Sequence, residues 1–380
     1  MRRLLSLTAV VVLVDTMFYA AITPLLPHYA SDLDLSKAAA GVLAASYAAG
    51  TLVGSFPAGW FAARYGPKRS TITGLVLLSV SGLFFAFGKH IAVLDAARFL
   101  QGVGGAFSWT GVLSWLVAES SEGRGKLIGS AIAWAIVGVV LGPVLGGVAV
   151  ALSPEVVFSG VALLGLGLCW WASTIAGPPP AERHGSLNRG LVFKPSVLIA
   201  ICLVLLPSQY AGVLEVLVPL RLDDLGATGL VIGAVFVVAG IGEAITTRFM
   251  GGFSDRRGRM LPIGVGLLIS AVTAVLLPLP DSVGLLAVAL FLAVLGTGIL
   301  WAPATALLSE SADREGLDQG YAFALVNLAW AGGQILGGAG GSGAAQLAGD
   351  ALPYLICSVL FLIALLILRL NAGERVPQFS

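Results

Sequence analysis

Apolar residues in this chain gather into long runs separated by short polar joints. Runs of about 20 apolar residues predict helices that cross a bilayer. Twelve are read, over residues 4–26, 38–62, 70–88, 91–117, 127–151, 155–177, 195–220, 229–250, 260–279, 283–308, 319–347 and 352–370. The first follows Arg2 and Arg3 and has the look of a secretory leader. Asp15 interrupts its apolar stretch and eleven spans come after it, so it is read as a retained helix. The expected fold class is all-α and integral to the membrane.

Composition sharpens this reading. Of 380 residues, 57% are hydrophobic and 11% charged, against about 25% charge in an ordinary soluble domain. A soluble core of this length could not hide so much apolar side chain, whereas lipid-facing helices leave it outside. A formal net charge of +1 offers no basic field to nucleic acid. Cys169, Cys202 and Cys357 lie in apolar runs and read as small buried hydrophobes, without metal or disulfide spacing. His28, His90 and His184 are scattered and take no role; no metal or cofactor is expected. With both termini inside, cytoplasmic segments hold 17 of the 21 basic residues, the asymmetry that orients a membrane protein. A multi-pass monomer in the cell's inner (plasma) membrane is expected.

The chain also repeats itself. A polar stretch opening with Pro178, Pro179 and Pro180 serves as a linker, 178–194, between six-helix bundles at 1–177 and 195–380. A shift of about 192–195 residues superimposes the halves. Gly59-Trp-Phe-Ala-Ala-Arg64-Tyr-Gly66 falls on Gly251-Gly-Phe-Ser-Asp255-Arg256-Arg-Gly258, and Gly138-Val-Val-Leu-Gly142 on Gly333-Gln-Ile-Leu-Gly337. Gly102 and Gly104 fall on Gly296 and Gly298, and Pro24 on Pro219. Repeats of six spans suit an alternating-access transporter with its substrate site at the midplane, between the halves.

These residues resemble the major facilitator superfamily along essentially the whole chain. The repeated loop looks like its Gly-x-x-x-Asp-Arg-x-Gly-Arg-Lys motif, Arg98-Phe-Leu-Gln101-Gly102 like its fourth-helix motif. Gly138-x-x-x-Gly142-Pro143-x-x-Gly146-Gly147 is similar to the fifth-helix motif of its proton-coupled antiporters. The resemblance implies a major facilitator fold of 12 helices in two pseudo-symmetric halves. It implies a gating role for Gly59, Arg64, Gly66 and Lys68, and for Asp255, Arg256 and Gly258 in the second copy. Ala63 stands where the family usually has Asp, so the first-half latch is expected to be the weaker. Glycines 138, 142 and 146 repeat every four residues along one helix face and permit close backbone approach. Pro143 removes a backbone hydrogen bond and can bend that helix. In the family such packing seals the two halves together, which places Gly142 against the eighth helix.

Ionisable groups deep in the hydrocarbon cost several kcal/mol and mark function by default. Asp15 lies about 16 Å into the first span at 1.5 Å per residue, near the middle of a core roughly 30 Å thick. Glu215 sits about one turn below Pro219, Arg98 about two turns below the outer end of its span, and Glu243 in the inner half of the eighth. Asp15-Thr-Met-Phe-Tyr-Ala-Ala-Ile-Thr-Pro24 and Leu214-Glu215-Val-Leu-Val-Pro219 resemble the first and seventh helices of vesicular monoamine transporters and their bacterial drug-efflux relatives. In those relatives such carboxylates contact the amine and take part in proton coupling. Tyr47 stands where they have an intramembrane Lys, and Trp301 and Asn327 where they have acids, so amine-neurotransmitter specificity is not carried over. A carboxylate withdrawn from water binds a proton more readily, whereas a cationic substrate favours its ionised form. Proton and cation then compete for one site, the minimum machinery for antiport. Arg98 either stabilises a nearby carboxylate, fixes backbone carbonyls of the first helix, or is neutralised by Asp95. Glu243 is read as structural.

Substrate contacts are expected from Asp15, Glu215 and the aromatic or amide side chains Tyr19, Tyr47, Trp109, Trp134, Tyr210, Trp301, Asn327 and Trp330. Aromatic faces attract organic cations. The function read is proton-coupled efflux of hydrophobic, cationic small molecules, with protons, substrate and lipid bilayer as partners. The alternatives are export of one metabolite on the same fold and a transport-inactive sensor or scaffold. No nucleophile–base pair or metal-ligand spacing supports an enzyme.

Overall fold

The computed structural model describes residues 2–119, 124–178, 193–315 and 319–373, with the side chains of 124–126, 128–129, 255, 319–324 and 371–373 excepted. The described residues are helices joined by short turns, and the twelve spans are all helical. Among the described residues, nine helices are long and apolar enough to cross a membrane, and Met260–Leu276 is a shorter apolar helix.

The helices are α1 Arg2–Ala20, α2 Ile22–Asp32, α3 Lys37–Tyr65, α4 Pro67–Phe87, α5 Ile91–Ala118, α6 Arg124–Ala151 and α7 Pro154–Thr174. After the linker, whose residues 179–192 lie outside the described residues, come α8 Pro195–Asp224, α9 Gly229–Arg257, α10 Met260–Leu276 and α11 Val283–Arg314. Then follow α12 Gln319–Ile335, a π-helical stretch Leu336–Gly341, α13 Ser342–Ala348 and α14 Ala351–Gly373.

Two expected spans are therefore interrupted. The first breaks at Ala21, between α1 and α2. Pro24, three residues on, has no N–H to give the carbonyl four residues before it, which weakens the ladder at that turn. The eleventh loosens into π geometry over Leu-Gly-Gly-Ala-Gly-Gly, where glycine gives the backbone little restraint. Local chemistry sets the other ends. The Ser36 and Ser153 hydroxyls accept from the Ala39 and Val156 amides at 3.2 and 3.1 Å, capping α3 and α7. Gly66 takes φ +93° to turn the chain from α3 into α4, a conformation only glycine adopts cheaply.

The helices form two compact units. Unit 1 comprises residues 1–185 with 227–237, and unit 2 comprises 186–226 with 238–380. In unit 1, α1 packs on α6, and α5 packs between α3 and α4, with α7 against α4. A core of Leu4, Leu7, Val11, Leu75, Val112, Trp115 and Leu168 fills one end of this bundle. In unit 2, α8 packs on α11 and α12, and α10 on α11 and α14. The outer faces are apolar: Phe56, Leu163, Trp170, Phe249 and Leu366 are exposed. That distribution suits a hydrocarbon solvent and would be costly in water. Cys357 is buried and Cys169 half-buried, but Cys202 is exposed, contrary to its reading as a buried hydrophobe.

Candidate functional site

In unit 1 five of the expected residues converge. Asp15, on α1, is 2% exposed. Its Oδ1 accepts from the Tyr47 hydroxyl of α3 at 3.1 Å, and its Oδ2 from the Trp109 indole of α5 at 2.6 Å. Gly105 makes room for this meeting. A Cβ there would lie 2.5 Å from Tyr47 Oη and 2.9 Å from Asp15 Oδ1. Tyr19 leans on Tyr47 with ring centroids 5.0 Å apart. Arg98, 1% exposed, lies over the Tyr47 ring at 5.1 Å.

The guanidinium also resolves an open question of the sequence. It donates to the carbonyls of Phe18 at 3.3 Å and Tyr19 at 3.1 Å, and to Gln101 Oε1 at 3.2 Å. Those carbonyls precede the break at Ala21, so Arg98 supplies donors where the helix is weakest. Asp95, one turn away, has its Oδ1 buried without a hydrogen-bond partner. Gln101, buried, holds Arg98 through one amide atom and leaves Nε2 without a hydrogen-bond partner. Neither Gln101 nor Gly105 was picked out as a site residue, although Gln101 stands in the quoted fourth-helix motif.

Other expectations are redistributed. Trp134 of α6 is exposed. Tyr210 is fully buried, its hydroxyl donating to Thr273 Oγ1 at 3.4 Å and its ring edge-on to Phe361 at 5.5 Å. It packs inside its own bundle against α10 and α14. In unit 2, Glu215 of α8 is half-buried, as are Trp301 of α11 and Trp330 of α12, while Asn327 is exposed. Glu243, on α9, is half-buried, and its Oε1 lies 3.4 Å from Thr297 Oγ1 of α11.

The glycine row of α6 faces a different partner from the one expected. A Cβ at Gly138 would strike Thr16 Oγ1 and the Leu13 carbonyl, and one at Gly146 the Ala21 carbonyl. At Gly142 it would lie 2.5 Å from Ala20 Cβ and 2.8 Å from the Met17 carbonyl. The row thus seats α1 against α6, and Thr16 ties them by donating to the Ala135 carbonyl at 3.0 Å. What meets the start of the eighth span is the flank of the motif. Gly147 is apposed to Gly229 and Leu230, and a Cβ at Gly233 would lie 2.7 Å from the Pro143 carbonyl. In unit 2 the same device recurs: Gly333 and Gly337 lie against the Leu205 and Gln209 carbonyls of α8.

The loop motifs divide similarly. Gly59 adjoins open space and Arg64 is exposed, whereas Lys68 Nζ donates to the Ser173 and Ile175 carbonyls at 2.8 and 2.6 Å. Lys68 therefore caps the end of α7, where unpaired carbonyls attract a cation. In the second copy Gly258 turns the chain at φ +85° and Arg256 is exposed; the Asp255 side chain lies outside the described residues. The ion pair falls on the next motif position, Arg259, which meets Glu310 of α11, and Arg314 lies 3.9 Å from the same carboxylate.

Comparison with known proteins places this geometry among transporters. The family model described as Major Facilitator Superfamily matches residues 8–221 and 199–378. The chromaffin granule amine transporter of Rattus norvegicus is 26% identical over 253 residues, 64% of this chain and 48% of that protein. The synaptic vesicular amine transporter of Homo sapiens is 25% identical over 269 residues, 69% of this chain and 52% of its own. The chain spans about half the length of these relatives. A solved bacterial homolog of the human lysosomal transporter Spinster superposes with a TM-score of 0.79 at 15% identity, covering 99% of this chain and 98% of that one. The nucleoside transporter NupG gives 0.77 at 12% identity, covering 97% and 99%.

Proposed function

The chain belongs to the Major Facilitator Superfamily and is a multi-pass membrane protein, and from that premise we propose that it is a proton-coupled efflux antiporter of hydrophobic, cationic small molecules. Its working parts are two six-helix bundles, 1–177 and 195–380, joined by the linker 178–194, with both termini in the cytoplasm. The cell's inner membrane is its proposed site of action.

One observation does most to support this reading. Asp15 is withdrawn from water and framed by two aromatic donors, Tyr47 and Trp109. Those donors hold an ionised carboxylate by charge-assisted hydrogen bonds. The same aromatic rings present faces that attract an organic cation. A proton neutralises the carboxylate and removes the attraction, so cation and proton exclude each other on one group. Arg98 keeps the break after Tyr19 in place and holds α1 to α5. Glu215 is proposed as the acid of unit 2 that meets substrate charge. The amine transporters among the relatives carry amines by name, which favours a cation over a neutral metabolite.

The test is uptake of ethidium, a planar organic cation, into inside-out vesicles. Uptake is expected to require an inward-acidic gradient and to collapse with a protonophore. Uptake unaffected by the protonophore would leave a facilitator and remove the coupling.

A further inference from the structure

The carboxylate at the centre of the candidate site is closed. Asp15 is 2% exposed, and a group so covered admits a proton but no organic cation until a neighbour moves. Which neighbour moves depends on how each is held. Tyr47 is buried, with the Tyr19 ring at 5.0 Å and the Arg98 guanidinium at 5.1 Å against its own ring. On the α5 side the wall is backbone: a Cβ at Gly105 would lie 2.9 Å from Asp15 Oδ1 and 3.3 Å from Oδ2. On the far side α1 is seated on α6 by the glycine row and fastened there by Thr16. Trp109 is held less firmly. It is half-buried, and its hydrogen bond to the group is the single one from Nε1 to Oδ2, at 2.6 Å. Its ring leans on the apolar core that includes Val112 and Trp115, a contact without direction, so the indole can turn and still stay covered.

An indole N–H gives one hydrogen bond and accepts none, so Trp109 holds Oδ2 purely as a donor. Tyr47 occupies Oδ1 and the α5 backbone lies across both oxygens. The side of Oδ2 that the indole covers is therefore where a cation has to come. Cation and N–H exclude each other there, and the displaced N–H, left without an acceptor, weakens binding. Were Trp109 only a ring face for the cation, Phe in its place would lower affinity, because Trp makes the strongest such face. With the N–H as the obstacle, Phe raises it.

We propose that Trp109 is a tethered competitor of the substrate cation: its indole N–H occupies Asp15 Oδ2 in the closed site, and a cation binds only as the indole swings away. This role rests on the reading of Asp15 as the cation site. It also sets a threshold for entry, since a ligand must be worth more to the carboxylate than the donor it displaces, and uncharged molecules fall short.

Calorimetric affinity of the purified full chain for ethidium tests this, in alkaline buffer so that proton binding does not enter. Trp109→Phe keeps a ring and removes the N–H, and is expected to bind ethidium about tenfold more tightly. A second readout uses the unsubstituted protein. The indole N–H proton resonance of Trp109, identified by its absence in Trp109→Phe or Trp109→Leu, should lie downfield without ligand and move upfield as ethidium is added. Affinity that falls or stays level in Trp109→Phe, or a resonance that does not move while ethidium binds, would overturn the proposal. Asp15→Asn tells two failures apart. Ethidium binding that it leaves unchanged sinks the cation reading of Asp15 and this role with it. Binding that it weakens, with no gain in Trp109→Phe, sinks the Trp109 assignment alone.

Discussion

Placing a single methyl group on the glycine row of α6 tests whether α1 and α6 are joined as described. In Gly142→Ala the new Cβ would lie 2.5 Å from Ala20 Cβ and 2.8 Å from the Met17 carbonyl. Carbon atoms in contact sit about 3.5–4.0 Å apart, so α1 must move off by about 1 Å. Overpacking of this kind costs about 1–3 kcal/mol. The neighbouring Thr16 to Ala135 bond, 3.0 Å long, is stretched by the same movement. Alanine in place of glycine also helps a helix by about 1 kcal/mol, and this gain must be subtracted out. Gly160 of α7 supplies the control, because a Cβ there meets nothing within 4 Å. Gly160→Ala keeps the propensity gain without the clash. The two variants should therefore differ by about 1–3 kcal/mol, Gly142→Ala being the less stable, in denaturant unfolding of the purified protein in one detergent. Gly333→Ala should behave like Gly142→Ala, since its Cβ would lie 2.6 Å from the Leu205 carbonyl and from Ser208 Cβ. Equal stability of Gly142→Ala and Gly160→Ala would refute the close approach of α1 and α6.

Three further outcomes are expected. Glu215→Gln deletes charge while keeping size, so affinity for ethidium should fall ten- to a hundredfold, about 1.4–2.7 kcal/mol, with a matched neutral ligand much less affected; equal losses for both ligands would remove the cation-site assignment. Arg98→Gln should destabilise the purified protein by about 1–3 kcal/mol, because the Phe18 and Tyr19 carbonyls lose their guanidinium donor, and Arg98→Lys should recover only part of the loss, since one ammonium cannot reproduce the planar fork. Lys68→Met should speed amide hydrogen exchange at the end of α7, where the Ser173 and Ile175 carbonyls lose their cap, by an amount corresponding to about 0.3–1 kcal/mol; unchanged protection there would show that the cap does not hold that end.

Much of this protein was legible in the linear sequence. Span lengths follow from the thickness of hydrocarbon, and the count of twelve needs nothing but apolar runs. The repeat is visible because the loops and glycine rows recur in order. Asp15 and Arg98 announced themselves because charge inside a membrane is expensive and therefore rare. Which way each helix faces was not legible. In a water-soluble helix a polar stripe marks the outside, but here lipid and protein core are both apolar and leave no stripe. Sequence therefore could not tell that Trp134 is exposed, that Tyr210 turns into its own bundle, or that Gly142 rests on Ala20 and Met17 of α1. It could not show that Arg98 reaches the carbonyls before Ala21, or that Thr297 stands between Val294 and Glu243. Those choices were made by packing, because only when the helices cross does a small residue show what it makes room for.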